Sequence, residues 1–474
     1  MRGDITLIVK RKNAIAILMN VVVFLFYLLL LLLNWNIEGV SSDWVITISY
    51  LALFLLAYQA VVMIGILKVK YTDFLLWFIL LEFIFLYGRI WVKALGKDDL
   101  VAWHLFNAFD DLTCYKAALF CLAYSQAIFF GSFLFENSVS ERKMKRSLEN
   151  YSPMLLYKIG WVFFALTFPV KLYSNLIMIA AQKVAGDYVA TGITNGLVGA
   201  ISYLPVIGLI IILCSQVLSR TKVRRLFYIY LAYEVFYMVF SGDRRQDFIG
   251  IITWTLCYMQ IYNVKMNLRK IVKYVLAAFI VLIFLATIRT GRSDGFNGMN
   301  SFFELFEQVA QNDLLVETLG EFGGTFFTVT NVIKYYPERL FFLGGLSLLG
   351  SLLIVVPGIM TSLFPQLFYY TEINYRCKDF NGLATGGSLP QDMYANWGLW
   401  GVFFAIIAGV IIAKVMTRDD ENLSPYETAM YYARFYIFMN LVRAGTIELG
   451  RPLVYTYVLV YLLGYVLRDK GRKE

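Results

Sequence analysis

Six arginines, and no lysine, mark the ends of three apolar helices predicted below. They are Arg244 and Arg245, Arg289 and Arg292, and Arg443 and Arg451. A guanidinium group is a planar fork that binds two phosphate oxygens and stays charged when partly buried. We therefore expect a shared diphosphate site if the three helix ends meet. The alternative is contact with lipid headgroups or pairing with nearby acids, namely Asp243, Asp247, Asp294 and Glu448.

Such a site is suited to glycosyl transfer from a lipid diphosphate. Cationic groups stabilise the departing diphosphate, and the acceptor hydroxyl needs a base. The candidate bases are Glu321, Asp392, Asp243, Glu448 and His104. Glu321 is preferred because Gly323 and Gly324 follow it, which lets a sugar approach the backbone. The alternative for Glu321 is an acid at a helix end or an ion-pair partner.

Other chemistries have little support. There is no Walker or dinucleotide fingerprint, which excludes self-contained ATP-driven transport. His104 is the single histidine, so a histidine cluster for a metal is excluded. Asp98-Asp99 and Asp110-Asp111 are either ligands of a divalent cation or solvated loop charges, and the second interpretation is preferred.

The elements that position these residues are membrane spans. The 474 residues are 59% hydrophobic and 16% charged, which excludes a soluble enzyme, a disordered protein and a nucleic-acid-binding domain. A spanning helix needs about 20 mostly apolar residues. The pattern predicts an all-α polytopic bundle of about 12 such helices. They cover 14–33, 44–67, 74–91, 117–135, 159–180, 192–218, 226–240, 247–264, 274–288, 395–413, 426–441 and 452–467.

Basic residues set the topology. The termini and alternate connections hold 24 Lys and Arg, against 14 in the intervening segments. Because Lys and Arg favour the cytoplasmic side, both termini are predicted to be cytoplasmic. A further apolar stretch, 341–364, contains four glycines and Pro357. A single crossing there would place the basic C-terminus outside, so we expect a re-entrant or interfacial segment.

The domain organisation follows from this topology. Residues 1–288 form a bundle of nine spans, 289–394 a large extracytoplasmic loop, and 395–474 three spans and a basic cytoplasmic tail. A structureless loop of that length is unusual, so 289–394 is predicted to be folded and functional. Its first part is predicted to be an amphipathic helix that lies on the bilayer or covers a lipid-linked substrate. The residues at helical spacing are Phe302, Leu305, Phe306, Val309, Asp313 and Val316, after a capping-box pair, Ser301 and Glu304.

Three local motifs resemble the bacterial O-antigen and capsule repeat-unit polymerases of the Wzy type. The first closes a span with Ser241-Gly242-Asp243-Arg244-Arg245, and the second is Glu321-Phe322-Gly323-Gly324. The third begins with Gly386-Gly387-Ser388 and continues through Asp392, Tyr394 and Asn396-Trp397-Gly398. In this motif Asp392 stands where the family pattern has Glu. Arg443 also falls where such proteins often carry an arginine.

The resemblance implies an enzyme of the bacterial cytoplasmic membrane that joins oligosaccharide repeats carried on undecaprenyl diphosphate. The growing glycan moves to the non-reducing end of a new lipid-linked repeat at the outer face. It implies no cofactor or metal and no nucleic acid. A chain-length regulator and a flippase are implied partners. The arginines would bind diphosphate, Glu321 or Asp392 would handle the acceptor proton, and Tyr394 and Asn396 would bind the acceptor sugar.

Two other functions remain open. A polysaccharide transporter or flippase is the main alternative, because Glu82, Lys171, Glu234 and Arg434 lie within predicted spans. Such charges also occur as structural ion pairs, and no repeated halves accompany them. A ligase-type glycosyltransferase is disfavoured, since related ligases are thought to use a histidine in the large outer loop and 289–394 has none.

Overall fold

A computed structural model describes residues 11–101, 104–139, 152–185, 196–241, 245–264, 314–356, 362–383, 385–416 and 424–471. This part of the chain is helical and contains no strand. Helices satisfy every backbone hydrogen bond within one segment, as the hydrocarbon core of a membrane demands. The all-α prediction is therefore confirmed.

The N-terminal half consists mainly of long apolar helices. The second of them ends in a π-helical turn, Met63–Leu67, and the fifth contains Pro169. The helices are α1 (Arg11–Asn34), α2 (Trp44–Val62), α3 (Phe74–Ala94), α4 (Asp111–Val139), α5 (Pro153–Ala185), α6 (Gly196–Ile201), α7 (Leu204–Cys214), α8 (Arg220–Ser241) and α9 (Arg245–Ile261).

The described C-terminal half has six short helices followed by three longer ones. The helices are α10 (Leu314–Phe322), α11 (Phe326–Tyr335), α12 (Leu346–Leu353), α13 (Pro365–Thr371), α14 (Ile373–Asn381), α15 (Leu389–Trp397), α16 (Gly401–Met416), α17 (Pro425–Met439) and α18 (Thr446–Gly471). A single 3-10 turn, Gly398–Trp400, separates α15 from α16, so the two run as one apolar segment.

Seven segments of the described chain are long and apolar enough to cross a membrane. They coincide with seven of the predicted spans and are Ala14–Asn34, Trp44–Leu67, Phe74–Ala94, Asp111–Glu136, Pro153–Ala180, Leu197–Cys214 and Leu389–Met416. Four other predicted spans fall on α8, α9, α17 and α18 and stay predictions as crossings. The span at 274–288 and the amphipathic helix predicted from residue 301 lie outside the described residues, except for Val316 in α10.

Glycines allow the closest helix contacts in the bundle. A side chain at Gly131 of α4 would collide with the carbonyl of Ile406 in α16, and one at Gly409 of α16 with the carbonyl of Ile128. The reciprocal pair brings the two backbones together, which is how membrane helices gain packing energy without a hydrophobic driving force.

The segment predicted to be re-entrant is broken into short pieces. Gly344 and Gly345 adopt positive φ angles of 58° and 96°, and α12 follows for only eight residues. Ser347, Gly350 and Ser351 of α12 are buried, whereas Leu349 and Leu352 are exposed. The helix α12 therefore has a polar inner face and an apolar outer face, and the re-entrant path of 341–364 stays a prediction.

Candidate active site

Arg443 lies at an aromatic cluster where three helices meet. Its guanidinium carbon is 5.6 Å from the ring centroid of Phe85 in α3. The Phe85 ring packs on Phe322 at 5.4 Å, and Phe322 packs on Phe248 of α9 at 5.7 Å. Phe322 directly follows Glu321, and Phe248 lies three residues after Arg245. The fold therefore brings two of the arginine-bearing helix ends to the segment that carries Glu321.

Close backbone packing holds Glu321 at this place. Glu321 is half-buried near the end of α10. A side chain at Gly323 would collide with the backbone nitrogen of Arg89 in α3, so only glycine fits there. Gly88 of α3 likewise touches the backbone of Leu319. Gly323 and Gly88 thus dock α10 onto α3, which fixes the approach of Glu321 to the aromatic cluster.

Asp392 is a buried acid bonded to the turn that follows Arg443. One of its carboxylate oxygens, Oδ2, accepts hydrogen bonds from the backbone N–H of Thr446 at 2.6 Å and from the Thr446 hydroxyl at 2.7 Å. Its side chain lies in α15, whose first turn is capped by Ser388 and Gln391 in a capping box. Asp392 thereby sets the position of residues 443–446 relative to α15.

A chain of polar contacts connects the same turn with the short helix α12. Ser351 donates to the hydroxyl of Thr446 at 3.2 Å, and Asn396 donates to the hydroxyl of Ser347 at 2.6 Å. Arg451 donates to the carbonyl of Ile354 at 2.6 Å, just past the C-terminus of α12, where a cation is favourable. The segment predicted to be re-entrant is thus attached to both α15 and α18.

Tyr394 and Asn396 make internal contacts. Tyr394 is 2% exposed, and its ring packs on Phe120 at 5.1 Å and on Phe342 at 5.9 Å. Asn396 accepts from the backbone N–H of Gly345 at 2.9 Å and donates to the carbonyl of Asp392 at 2.7 Å. Direct sugar contact by either residue stays a prediction, and what they do in this structure is hold the surrounding segments in place.

The remaining predicted residues are described only in part. Arg245 is the first residue of α9, but its side chain and that of Glu448 lie outside the described part. Asp243, Arg244, Arg289 and Arg292 lie outside the described residues altogether. The meeting of all six arginines therefore stays a prediction. His104 is exposed in the loop before α4.

Arg89 is a residue that the sequence analysis missed. Its side chain is 2% exposed, and its Nε lies 2.7 Å from an oxygen of Asp98. A buried guanidinium one turn from Phe85 could have been found from its position near the outer end of a predicted span. Its pairing gives Asp98 a role other than metal binding.

Asp110 and Asp111, at the end of that loop, also have partners. Asp110 accepts from the backbone N–H of Thr113 at 2.7 Å and from its hydroxyl at 2.8 Å, and Asp111 lies 3.4 Å from Lys93. Burial raises the pKa of Asp110, but the bonds from Thr113 outweigh it and lower the pKa below its ordinary value. In the described part of the chain, no three metal-ligating side chains come together.

The charges inside the predicted spans include a buried ion cluster. Lys171 of α5 lies 2.5 Å from Glu234 of α8 and 2.8 Å from Asp247 of α9. All three side chains are at least 96% buried. Lys171 therefore has two acidic partners inside the bundle. This favours the structural interpretation of Lys171 and Glu234 over a transport path, and the cluster joins α5, α8 and α9.

The fold and these contacts define a polytopic helical membrane protein in which Arg443 lies near the segment that carries Glu321. The sequence model of the family described as O-antigen polysaccharide polymerase Wzy matches residues 15–470. The chain belongs to this family and is a polysaccharide polymerase. No curated protein and no solved structure matches the chain.

Proposed function

We propose that the protein transfers a growing glycan from undecaprenyl diphosphate to the non-reducing end of a lipid-linked repeat, at the outer face of the bacterial cytoplasmic membrane. The observation that carries this proposal is the aromatic cluster of Phe85, Phe322 and Phe248. It places Arg443 and the start of α9 beside the segment of Glu321. A cationic group and a base at one place are the two requirements of the transfer.

The arginines bind the diphosphate of the donor. Arg443 and Arg245 contribute from the described helix ends, and Arg244, Arg289, Arg292 and Arg451 complete the set. As the bond between the sugar and the diphosphate breaks, negative charge grows on the phosphate oxygens. Guanidinium groups stabilise that charge without a metal ion, and no cofactor takes part.

Glu321 accepts the proton of the acceptor hydroxyl while the oxygen of that hydroxyl forms the new glycosidic bond. The proton then passes to the released undecaprenyl diphosphate or to water. Glu321 is preferred over Asp392 because Glu321 is half-buried, whereas Asp392 is only 4% exposed. Asp392 acts on the reaction through the turn of Arg443. Tyr394 and Asn396 support the acceptor side.

The proposed topology has about 12 spans and both termini in the cytoplasm, as hydropathy and the distribution of basic residues predict. Residues 1–288 and 395–474 form the bundle, and 289–394 form the outer loop, in which 341–364 enters the membrane without crossing it. A flippase supplies the lipid-linked repeat, and a chain-length regulator acts on the product.

The test offers purified protein a lipid-linked repeat in detergent, with and without a chelator. We expect a ladder of longer lipid-linked products in both cases. Movement of the repeat across liposomes without elongation would instead indicate a transporter. Elongation that stops with chelator would contradict the metal-independent step.

A further inference from the structure

The helix pair α13–α14 presents four aromatic rings to its surroundings, namely Tyr369, Tyr370, Tyr375 and Phe380. Tyr369, Tyr370 and Phe380 are 51%, 43% and 42% exposed. Tyr369 and Tyr370 lie with their ring centroids 6.0 Å apart. Large aromatic side chains usually bury most of their surface, so a group of exposed rings on one helix pair indicates a binding surface.

The rings are held in place by polar and cationic neighbours. The hydroxyl of Tyr369 donates to a carboxylate oxygen of Asp379 at 3.2 Å. The guanidinium carbon of buried Arg376 lies 4.9 Å from the Tyr370 ring, and that of Arg339 lies 5.6 Å from the Phe380 ring. Cations on ring faces fix ring orientation, so this surface is preformed.

Two contacts connect the surface with the candidate active site. Gln391, next to Asp392, donates to Asn374 of α14 at 2.7 Å. Arg376 donates to the hydroxyl of Tyr336 at 3.3 Å, and the backbone oxygen of Tyr336 accepts from Tyr394 at 3.5 Å. Arg376 and Tyr336 therefore connect the exposed rings with Tyr394, the aromatic residue that sequence reasoning assigned to the sugar.

We propose that Tyr369, Tyr370, Asp379 and Phe380 form a glycan-binding surface that holds the oligosaccharide during polymerisation. A pyranose has an apolar C–H face that stacks on an aromatic ring and a rim of hydroxyls that donate to a carboxylate. Asp379 lies next to Phe380 and is bonded to Tyr369, so both kinds of contact are present together. An acyl chain would use the rings alone and would leave the exposed carboxylate of Asp379 desolvated.

This inference rests on the proposed function, since it names where that reaction holds its sugar chain. A polymerase that holds the growing glycan releases it less often between transfers. Loss of one stacking ring weakens the hold on the sugar by roughly threefold to tenfold. The surface therefore acts on product length, whereas the arginines and Glu321 act on bond formation.

In the test, cells that make the polysaccharide carry the Tyr369→Leu variant in place of the wild-type gene. Their products are separated by the number of repeats. Leucine keeps the apolar area and removes the ring. We expect the modal repeat number to fall by about twofold or more, and Tyr369→Phe to restore most of the length because it retains the ring. Tyr50→Leu is the matched control, because Tyr50 is 70% exposed on α2, far from this site along the chain.

Three outcomes would overturn the proposal. One is a wild-type length distribution for Tyr369→Leu, as expected if the rings face lipid headgroups. Another is a uniformly fainter ladder of unchanged modal length. If Tyr369→Leu lowers the amount of protein, the surface variant Asp379→Asn is tested in its place. A wild-type length distribution for Asp379→Asn is the third outcome that would overturn the proposal. A failure of the arginine site is distinguishable, since Arg443→Lys would then retain a full ladder while Tyr369→Leu would still shorten it.

Discussion

The carboxylate of Asp392 accepts both the backbone N–H and the hydroxyl of Thr446, at 2.6 and 2.7 Å, across 54 residues of sequence. Thr446 begins α18 three residues after Arg443. A carboxylate at a helix N-terminus satisfies unpaired backbone N–H groups and interacts favourably with the helix dipole. This contact makes the position of Arg443 depend on an acid that belongs to a different helix.

Removal of either side of this contact should destabilise the protein. A hydrogen bond to a charged group contributes about 1.5–3 kcal/mol, so Asp392→Asn and Thr446→Val should both lower the midpoint of thermal unfolding in detergent. Asp392→Asn should cost more because it weakens two bonds. If Asp392→Asn were inactive yet as stable as the wild type, Asp392 would be the base and not a positioning residue.

Substitution of the proposed base should stop turnover and leave the fold intact. Glu321→Gln keeps the size of the side chain and removes its capacity to accept a proton. We expect elongation to fall roughly 100-fold or more. Glu317→Gln, one turn earlier in α10, is the control and should elongate at nearly the wild-type rate. Equal elongation rates for the two variants, measured on purified lipid-linked repeat, would eliminate Glu321 as the base.

The ion pair of Arg89 and Asp98 should stabilise the contact between α3 and the loop that follows it. Asp98→Asn leaves the buried guanidinium of Arg89 without this carboxylate, at a cost of about 1–3 kcal/mol. Asp99→Asn removes an equal charge from an exposed neighbour and should change the stability little. Unfolding midpoints of the two variants test this, and indistinguishable midpoints would mean that the pair contributes nothing.

The thiol of Cys377 should resist alkylation in the folded protein. Burial raises the pKa of Cys377 to about 12, with a smaller opposing effect of Arg376. Because the folded state binds the proton more tightly than the unfolded state, this group leaves stability unchanged below about pH 8.5. Above that pH the unfolded thiol ionises first, and stability declines as the pH rises toward 12. Rapid labelling of Cys377 by iodoacetamide at pH 8 in folded protein would contradict this.

Hydropathy predicted most of the helices because spans depend on local composition. Seven predicted spans coincide with apolar helical segments, and 341–364 is broken near its start at Gly344 and Gly345, as its glycines predict. Hydropathy does not respond to local breaks, however. The span predicted over 192–218 is divided at Ser202 and Tyr203, and Pro205 lies in the first turn of the helix that follows, α7. Pro at such a position starts a helix but cannot continue one.

The site was predictable only as a set of residue types. The Glu321 motif and the arginines at helix ends were visible in sequence because charges are rare beside apolar spans. The contact partners were not, since the bond from Thr446 to Asp392 and the packing of Gly323 on Arg89 depend on tertiary structure. Tyr394 shows the same limit, because its motif indicated a sugar contact while its neighbours bury it.

Binding of undecaprenyl diphosphate to purified Arg443→Lys protein tests the role of the arginines most directly. Lysine keeps the charge and loses the planar fork, so we expect affinity to fall roughly tenfold or more. Arg224→Lys is the control, because Arg224 is exposed near the first residue of α8, and it should bind like the wild type. Wild-type affinity in Arg443→Lys would contradict a diphosphate site at the aromatic cluster of α3, α9 and α10.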